Sequence, residues 1–283
     1  VTTRNYDIDL TASQHALEAL VVSSQKDLEQ ILCLVEIYLS LHEARKALQL
    51  LDRAKEQFDE AGYSEVWLFW HIQSLLSQGE LETALDRIEQ FQDEATQRNV
   101  RLGVLREQAR VSHNWREFAQ HLEVCWQESQ HNLYLYELCQ IRASLGDWQY
   151  VSDRANELVD SMRTPASLRL SVQCAWRSGH YLQCLQLLND HQHFFPSNAL
   201  PPDIYQLKIY CQARSGLISQ AIAEAEELVR SQETIETLTT LMDLQLNQGN
   251  VRGLAQTASR LLKQEEVQLV PLLRATRYIL SED

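Results

Sequence analysis

Glycine and proline are scarce in this chain, eight and five among 283 residues. Both interrupt regular structure, so their scarcity argues against a turn-dense fold. Basic residues are also few, 25 Lys+Arg against 39 Asp+Glu, a formal net charge of −14. Nucleic acid and anionic membrane surfaces usually demand a Lys/Arg-rich face, so neither is an expected partner. The six cysteines, Cys33, Cys125, Cys139, Cys174, Cys184 and Cys211, contain no C-x-x-C. They read as small buried hydrophobes of a reducing compartment, which makes a cytoplasmic location the expectation. No apolar run approaches the ~18 residues of a membrane helix, and no signal peptide is visible, so a soluble chain is expected. The chain opens on Val1 rather than Met, and a piece of a longer protein with additional domains is expected.

Catalytic motifs are missing too. There is no G-x-x-x-x-G-K-[ST], no G-x-G-x-x-G after a strand, no H-E-x-x-H and no G-x-S-x-G. No enzyme activity and no cofactor are therefore expected. His121/Cys125 and His180/Cys184 stand four apart, with His191 and His193 near the second pair. Structural zinc normally brings paired Cys or His at tight spacing, and no metal is expected.

What the chain has is helix-forming composition, with Ala, Leu, Glu, Gln and Arg common, and enough apolar residues (45%) to bury a core. It also has a repeat. "SQGELETAL", "SLGDWQYV", "RSGHYLQCL", "RSGLISQAI" and "NQGNVRGLA" align on Gly79, Gly146, Gly179, Gly216 and Gly249. "SLHEARKAL" and "VSHNWREFA" align with His42 and His113 in the glycine's place. The seven anchors lie 37, 34, 33, 33, 37 and 33 residues apart. A period near 34 is the signature of a repeat architecture.

The register is checkable within the sequence. Two residues after the anchors stand Ala44, Leu81, Trp115, Trp148, Tyr181, Ile218 and Val251. Five after stand Ala47, Ala84, Phe118, Val151, Cys184, Ala221 and Leu254. Nine after stand Leu51, Ile88, Leu122, Ala155, Leu188, Ala225 and Ala258. All are apolar, and these offsets share one helix face. Another helix precedes each anchor, as in "NLYLYELCQIRASL", where Leu135 and Leu138 face the following helix. Each unit is then helix, tight turn, helix. A left-handed glycine ends the first helix, and Asp147, Asn114 and Asn250 are N-cap types for the second.

This 34-residue unit, with Gly-Asp-Trp/Tyr at its turn and a small residue five after, resembles the tetratricopeptide repeat. The resemblance covers residues 28–264. It implies an all-α, right-handed superhelical solenoid of about seven helix-turn-helix repeats. Residues 1–27 and 265–283 are expected as capping or partial-repeat helices, with 11–22 a second helix and 268–281 a first helix. His42 and His113 at the turn, and Phe118, Val151 and Leu254 where the family prefers Ala, are departures from its pattern. Trp115 and Trp148 are expected to wedge between paired helices. The long spacings place insertions at 59–66 and 193–203, where Phe194 and Phe195 are expected to seal the joint rather than to form an exposed binding loop.

In tetratricopeptide arrays the first helices line a concave, peptide-binding surface. The resemblance implies that residues 13, 10, 6, 3 and 2 before each turn face it. Six before, the chain reads Glu36, Gln73, Glu107, Gln140, Gln173, Tyr210 and Asp243. The expected groove is Glu107, Arg110, Tyr136, Gln140, Arg169, Gln173, Trp176, Arg177, Tyr210 and Arg214. Its centre is weakly basic, with Arg110, Arg169, Arg177 and Arg214 against Glu107 and Asp203, and the ends carry Glu29, Glu36, Glu236 and Asp243. Arg and aromatics are hot-spot residues, so an acidic or C-terminal peptide near Arg169, Trp176 and Arg177 is one reading. Arginines paired to neighbouring Glu on a solvated face are the other. The Lys and Asn of chaperone-type clamps are absent: Leu32 with Glu36, Phe69 with Gln73, and Gly103 with Glu107 stand there. The expected function is a protein- or peptide-binding scaffold or adaptor. A regulatory arm of a larger enzyme is the alternative, and an RNA-binding helical repeat a weaker one.

Overall fold

The structure, a computed structural model, describes residues 14, 15, 18, 19, 27–264 and 269–282. The chain divides into two compact units, Val1–Cys125 and Trp126–Asp283. The partial helix expected at 11–22 falls mostly outside the described residues. No strand occurs among the described residues, and no helix there is long and apolar enough to cross a membrane.

Helices alternate in the expected pairs. The first unit holds α1 (Leu28–Ser40) with α2 (Ala44–Glu60), α3 (Ser64–Gln78) with α4 (Leu81–Ile88), and α5 (Glu94–Ser112) leading into α6 (Trp115–Ser129), whose residues from Trp126 on belong to the second unit. The second holds α7 (Asn132–Ser144) with α8 (Trp148–Asp153) and α9 (Ala155–Met162), and α10 (Pro165–Arg177) with α11 (Tyr181–His191). It continues through α12 (Pro202–Arg214) with α13 (Ile218–Ser231), α14 (Ile235–Gln248) with α15 (Val251–Leu261), and α16 (Leu269–Glu282). The last of these packs on α14 and α15, as the next repeat's first helix would.

The seven anchors define these pairs in backbone geometry. Gly79, Gly146, Gly179, Gly216 and Gly249 take φ of 82°, 84°, 80°, 84° and 73°, and His42 and His113 take 60° and 56°. All are left-handed, a region that costs an L-residue roughly 1–2 kcal/mol and glycine nothing. At six of them the next amide donates back to the carbonyl five residues earlier, as from Asp147 N to Arg142 O (2.9 Å) and His180 N to Ala175 O (2.8 Å). That bond satisfies a carbonyl the ending helix would otherwise orphan. At His113 the following amide, Asn114 N, meets Ser112 Oγ at 3.3 Å.

Packing follows the register. Every residue five after an anchor is buried, whether Ala47 and Ala84 or the larger Phe118 and Leu254. Phe118 fits by meeting Trp115 edge-on, ring centroids 6.1 Å apart. Trp148 wedges as expected: its Nε1 donates to Ala143 O of the preceding helix at 3.1 Å. Asn114 and Asn250 cap through their side chains, onto Glu117 N and Gly253 N. Asp147 does not cap; its carboxylate accepts from Arg142 Nη1 (3.3 Å), a cation close enough to draw it away from the helix end.

Two departures are local. The second helix of repeat 4 breaks at Arg154, φ −103° and ψ 9°. Its guanidinium lies 3.9 Å from the Tyr150 ring and 5.7 Å from that of Trp126, a cation–π stack that accompanies the bend. The insertion at 192–201 carries two 3-10 turns. Phe195 is buried in the core of repeats 5 and 6 and Phe194 packs against it, so the insertion seals the joint.

Candidate functional site

In the second unit the left-handed glycines fix where each first helix stops, and its apolar positions decide which side is buried. The helices α7, α10, α12 and α14 are successive neighbours. Bonds between repeats tie them. Arg169 Nη1 lies 2.5 Å from Asp203 Oδ2, Gln206 Nε2 donates to Thr240 Oγ1, and Tyr210 OH lies 3.2 Å from the same Thr240 oxygen. These helices therefore present a continuous face.

Eight expected groove residues lie on α7, α10 and α12, and their surroundings differ. Gln140 and Gln173 are exposed, each offering an amide that both donates and accepts. Trp176 is 38% exposed. Tyr136 is half-buried against the core cluster that holds Leu135, Cys139 and Val151. Tyr210 is engaged with Thr240, and Arg169 is taken up by Asp203. The centre expected at Arg169, Trp176 and Arg177 thus loses one guanidinium to a neighbouring carboxylate.

Two arginines remain. Arg214 is exposed and has no ion pair among the described residues. Arg177, in the equivalent place one repeat earlier, holds its guanidinium 4.9 Å from the Trp148 ring centroid. Stacking on a ring orients the fork while leaving its N–H groups outward. Asp243, six before Gly249, is half-buried; burial pushes its carboxyl above the ordinary Asp range, and Arg274 offsets part of this.

The other two expected residues belong to the first unit. Glu107 and Arg110 line a cleft of about 780 Å³ with Gln73, Gly103 and Val111. Arg110 Nε donates to Glu107 Oε2 at 2.9 Å. The pair holds the Glu107 carboxyl below the usual range. Here, as at Arg169, the arginine already has an acidic neighbour.

One constellation has the look of chemistry. Ser152 Oγ lies 2.8 Å from His180 Nδ1 and 2.9 Å from Gln183 Oε1. The amide oxygen only accepts, so the hydroxyl donates to Gln183 and His180 Nδ1–H donates to the hydroxyl. A base that donates cannot activate a nucleophile, and Ser152 is wholly buried. The cluster joins repeats 4 and 5. Cys184 meets Cys211, the sulfurs 3.1 Å apart. Among the described residues no group of three or more His, Cys, Asp or Glu is placed to hold a metal ion. Sequence reasoning missed the Cys184–Cys211 contact and the Arg177–Trp148 stack. Each crosses between repeats at a spacing that no single-helix periodicity encodes.

The fold is an all-α, tetratricopeptide-like helical repeat, by its 34-residue period, left-handed turns and buried small-residue register. No family model and no curated protein matches the chain. Solved structures do. A tetratricopeptide repeat protein from Parabacteroides merdae ATCC 43184 is 13% identical over 88% of this chain and 98% of that one, TM-score 0.42. The MamA RS-1 ArsTM double mutant is 12% identical over 66% and 97%, TM-score 0.47. TTC0263, a thermophilic tetratricopeptide repeat protein of Thermus thermophilus, is 19% identical over 64% and 96%, TM-score 0.41.

Proposed function

We propose that this chain is a protein-binding scaffold, and that the first-helix face of α7, α10 and α12 docks an extended acidic peptide segment. The observation that carries the reading is the uncommitted set on that face. Gln140, Gln173 and Arg214 are exposed, Arg177 is oriented on Trp148, and Trp176 is 38% exposed on the same helix as Gln173 and Arg177, on a chain of net charge −14. Exposed glutamines at corresponding places in adjacent repeats suit the alternating donors and acceptors of an extended backbone. The two guanidiniums suit carboxylates. An exposed Trp is an affinity anchor.

Fluorescence anisotropy tests this with a labelled Glu-rich peptide and its Lys-rich counterpart, each at low and physiological salt. The acidic peptide should bind in preference. Each exposed Arg–carboxylate contact contributes about 0.2–1 kcal/mol, so Arg177→Ala combined with Arg214→Ala should weaken binding by about 2- to 30-fold. Trp176→Ala should weaken both peptides. Equal affinity for the two peptides, or no effect of the double variant, would sink the acidic-segment reading.

A further inference from the structure

Two thiols meet in the core of the second unit. Cys184 on α11 and Cys211 on α12 are both fully buried, and their sulfurs are 3.1 Å apart. The helices belong to repeats 5 and 6. Cys184 fills the position five after the turn, held by Ala47, Ala84 and Ala221 in other repeats. A small residue there lets the next first helix come close, and here the close approach sets sulfur against sulfur. Closing to the ~2.05 Å of a disulfide would take a shift of only about 1 Å.

We propose that Cys184 and Cys211 are a modification site, forming a reversible disulfide across the joint of repeats 5 and 6 by exchange with a low-molecular-weight disulfide. In the closed joint the pair is inert. The nucleophile in such exchange is the thiolate, and the neighbouring sulfur together with burial pushes the Cys184 thiol well above its ordinary range. Phe195, from the connection at 192–201, is buried in the same cluster. Reaction therefore waits on local opening of the joint between repeats 5 and 6. One exposed thiolate then attacks the small disulfide, forming a mixed disulfide and releasing one thiol. The second cysteine displaces the second thiol as the joint recloses. Two S–H bonds are lost, one S–S bond forms, and the small disulfide is reduced to two thiols.

The bond would span 27 residues of chain and constrain the unfolded state. It would also fix α12 against α11, immediately beside Tyr210. The proposal stands whether or not that face binds peptide.

The test uses the full chain with oxidised glutathione, in buffer and in urea below the unfolding transition. Disulfides are mapped by digestion and mass spectrometry without reduction. A peptide joining Cys184 to Cys211 is expected, forming faster in mild urea and reversed by dithiothreitol. The oxidised chain should melt at a higher temperature than the reduced one. Cys184→Ala, which installs the residue of three sister repeats, and Cys211→Ala should each abolish the link and leave glutathione on the remaining cysteine. Absence of the link in both conditions overturns the proposal. So does crosslinking confined to Cys139 with Cys174, or glutathione confined to the exposed Cys33. If either variant fails to fold, the map of the unsubstituted chain still decides.

Discussion

Replacing glycine by alanine at two positions should move stability in opposite directions, although at both an added Cβ meets open space. Gly103 lies inside α5 and Gly146 ends α7 at φ +84°, and neither has an atom within 4 Å of the new methyl. Sterics beyond the backbone therefore drop out. Gly103→Ala gains helix propensity, about 0.8–1.0 kcal/mol. Gly146→Ala must hold an L-residue in the left-handed region, costing roughly 1–2 kcal/mol. Loss of freedom in the unfolded chain returns about 0.4–1 kcal/mol. The net is a destabilisation of up to about 1.6 kcal/mol, so the variants should differ by about 1–2.5 kcal/mol. A repeat array need not unfold in one step, and the two residues sit in different compact units. Hydrogen exchange of the amides in α5 and, separately, in α7 and α8 is therefore the assay, with thermal melts alongside. If both variants stabilise, the turn at Gly146 is not held by its φ and helix can run through it. If Gly103→Ala destabilises, the space above Gly103 is not open.

Asp243→Asn should raise the melting temperature at pH 7. The folded-state pKa of Asp243 lies above the ordinary Asp value, so the folded chain holds this proton more tightly; the resulting stability is present below the unfolded pKa and lost as pH rises through the folded one. The gain in the variant should vanish below the ordinary Asp range; a loss at pH 7 would mean that Arg274 more than compensates burial. Trp148→Phe should cost about 0.5–1.5 kcal/mol for the lost bond to Ala143 O. With Arg177 less well oriented, it should also weaken the acidic peptide while sparing the Lys-rich one; melts and anisotropy report the two effects, and an unchanged melting temperature would refute the wedge.

The pairing of helices is legible in the sequence because it rests on few, local demands. A helix stopped by a left-handed residue and restarted within a few positions needs a glycine, or a side chain that tolerates the strain, once per period. His42 and His113 could be placed at turns because the apolar positions after them continue the register, though neither is glycine. The small-residue position was legible for a similar reason: all seven are buried in the structure. Departures arise where a specific side-chain partner competes with the rule. Asp147 has an N-cap's chemistry but meets Arg142 first. The break at Arg154 coincides with two rings, Tyr150 and Trp126, that come together only once neighbouring helices have packed.

The candidate site is less legible, and for a physical reason. The repeat constrains the buried register and leaves the first-helix face free, so its residue types are visible in the sequence while their partners are not. Four arginines at groove positions look equivalent in a linear reading. In the fold, Arg110 is taken by Glu107 one turn away, and Arg169 by Asp203, 34 residues on. Only the first of these pairs lies at helical spacing. Arg177 is spared because its neighbour is a ring, not a carboxylate, and a ring orients a guanidinium without neutralising it. That distinction separates an arginine spent on the fold from one left for a ligand, and it is set by what the adjacent repeat presents. Within the second unit, a count of arginines on the face therefore overstates the guanidiniums free for a ligand by one, Arg169. Asp203 drops out with it, so α10 and α12 keep two guanidiniums for a ligand, Arg177 and Arg214. Reversing the Arg169 assignment tests the logic: Asp203→Asn should release that guanidinium and tighten the acidic peptide, where a merely decorative ion pair would leave affinity unchanged.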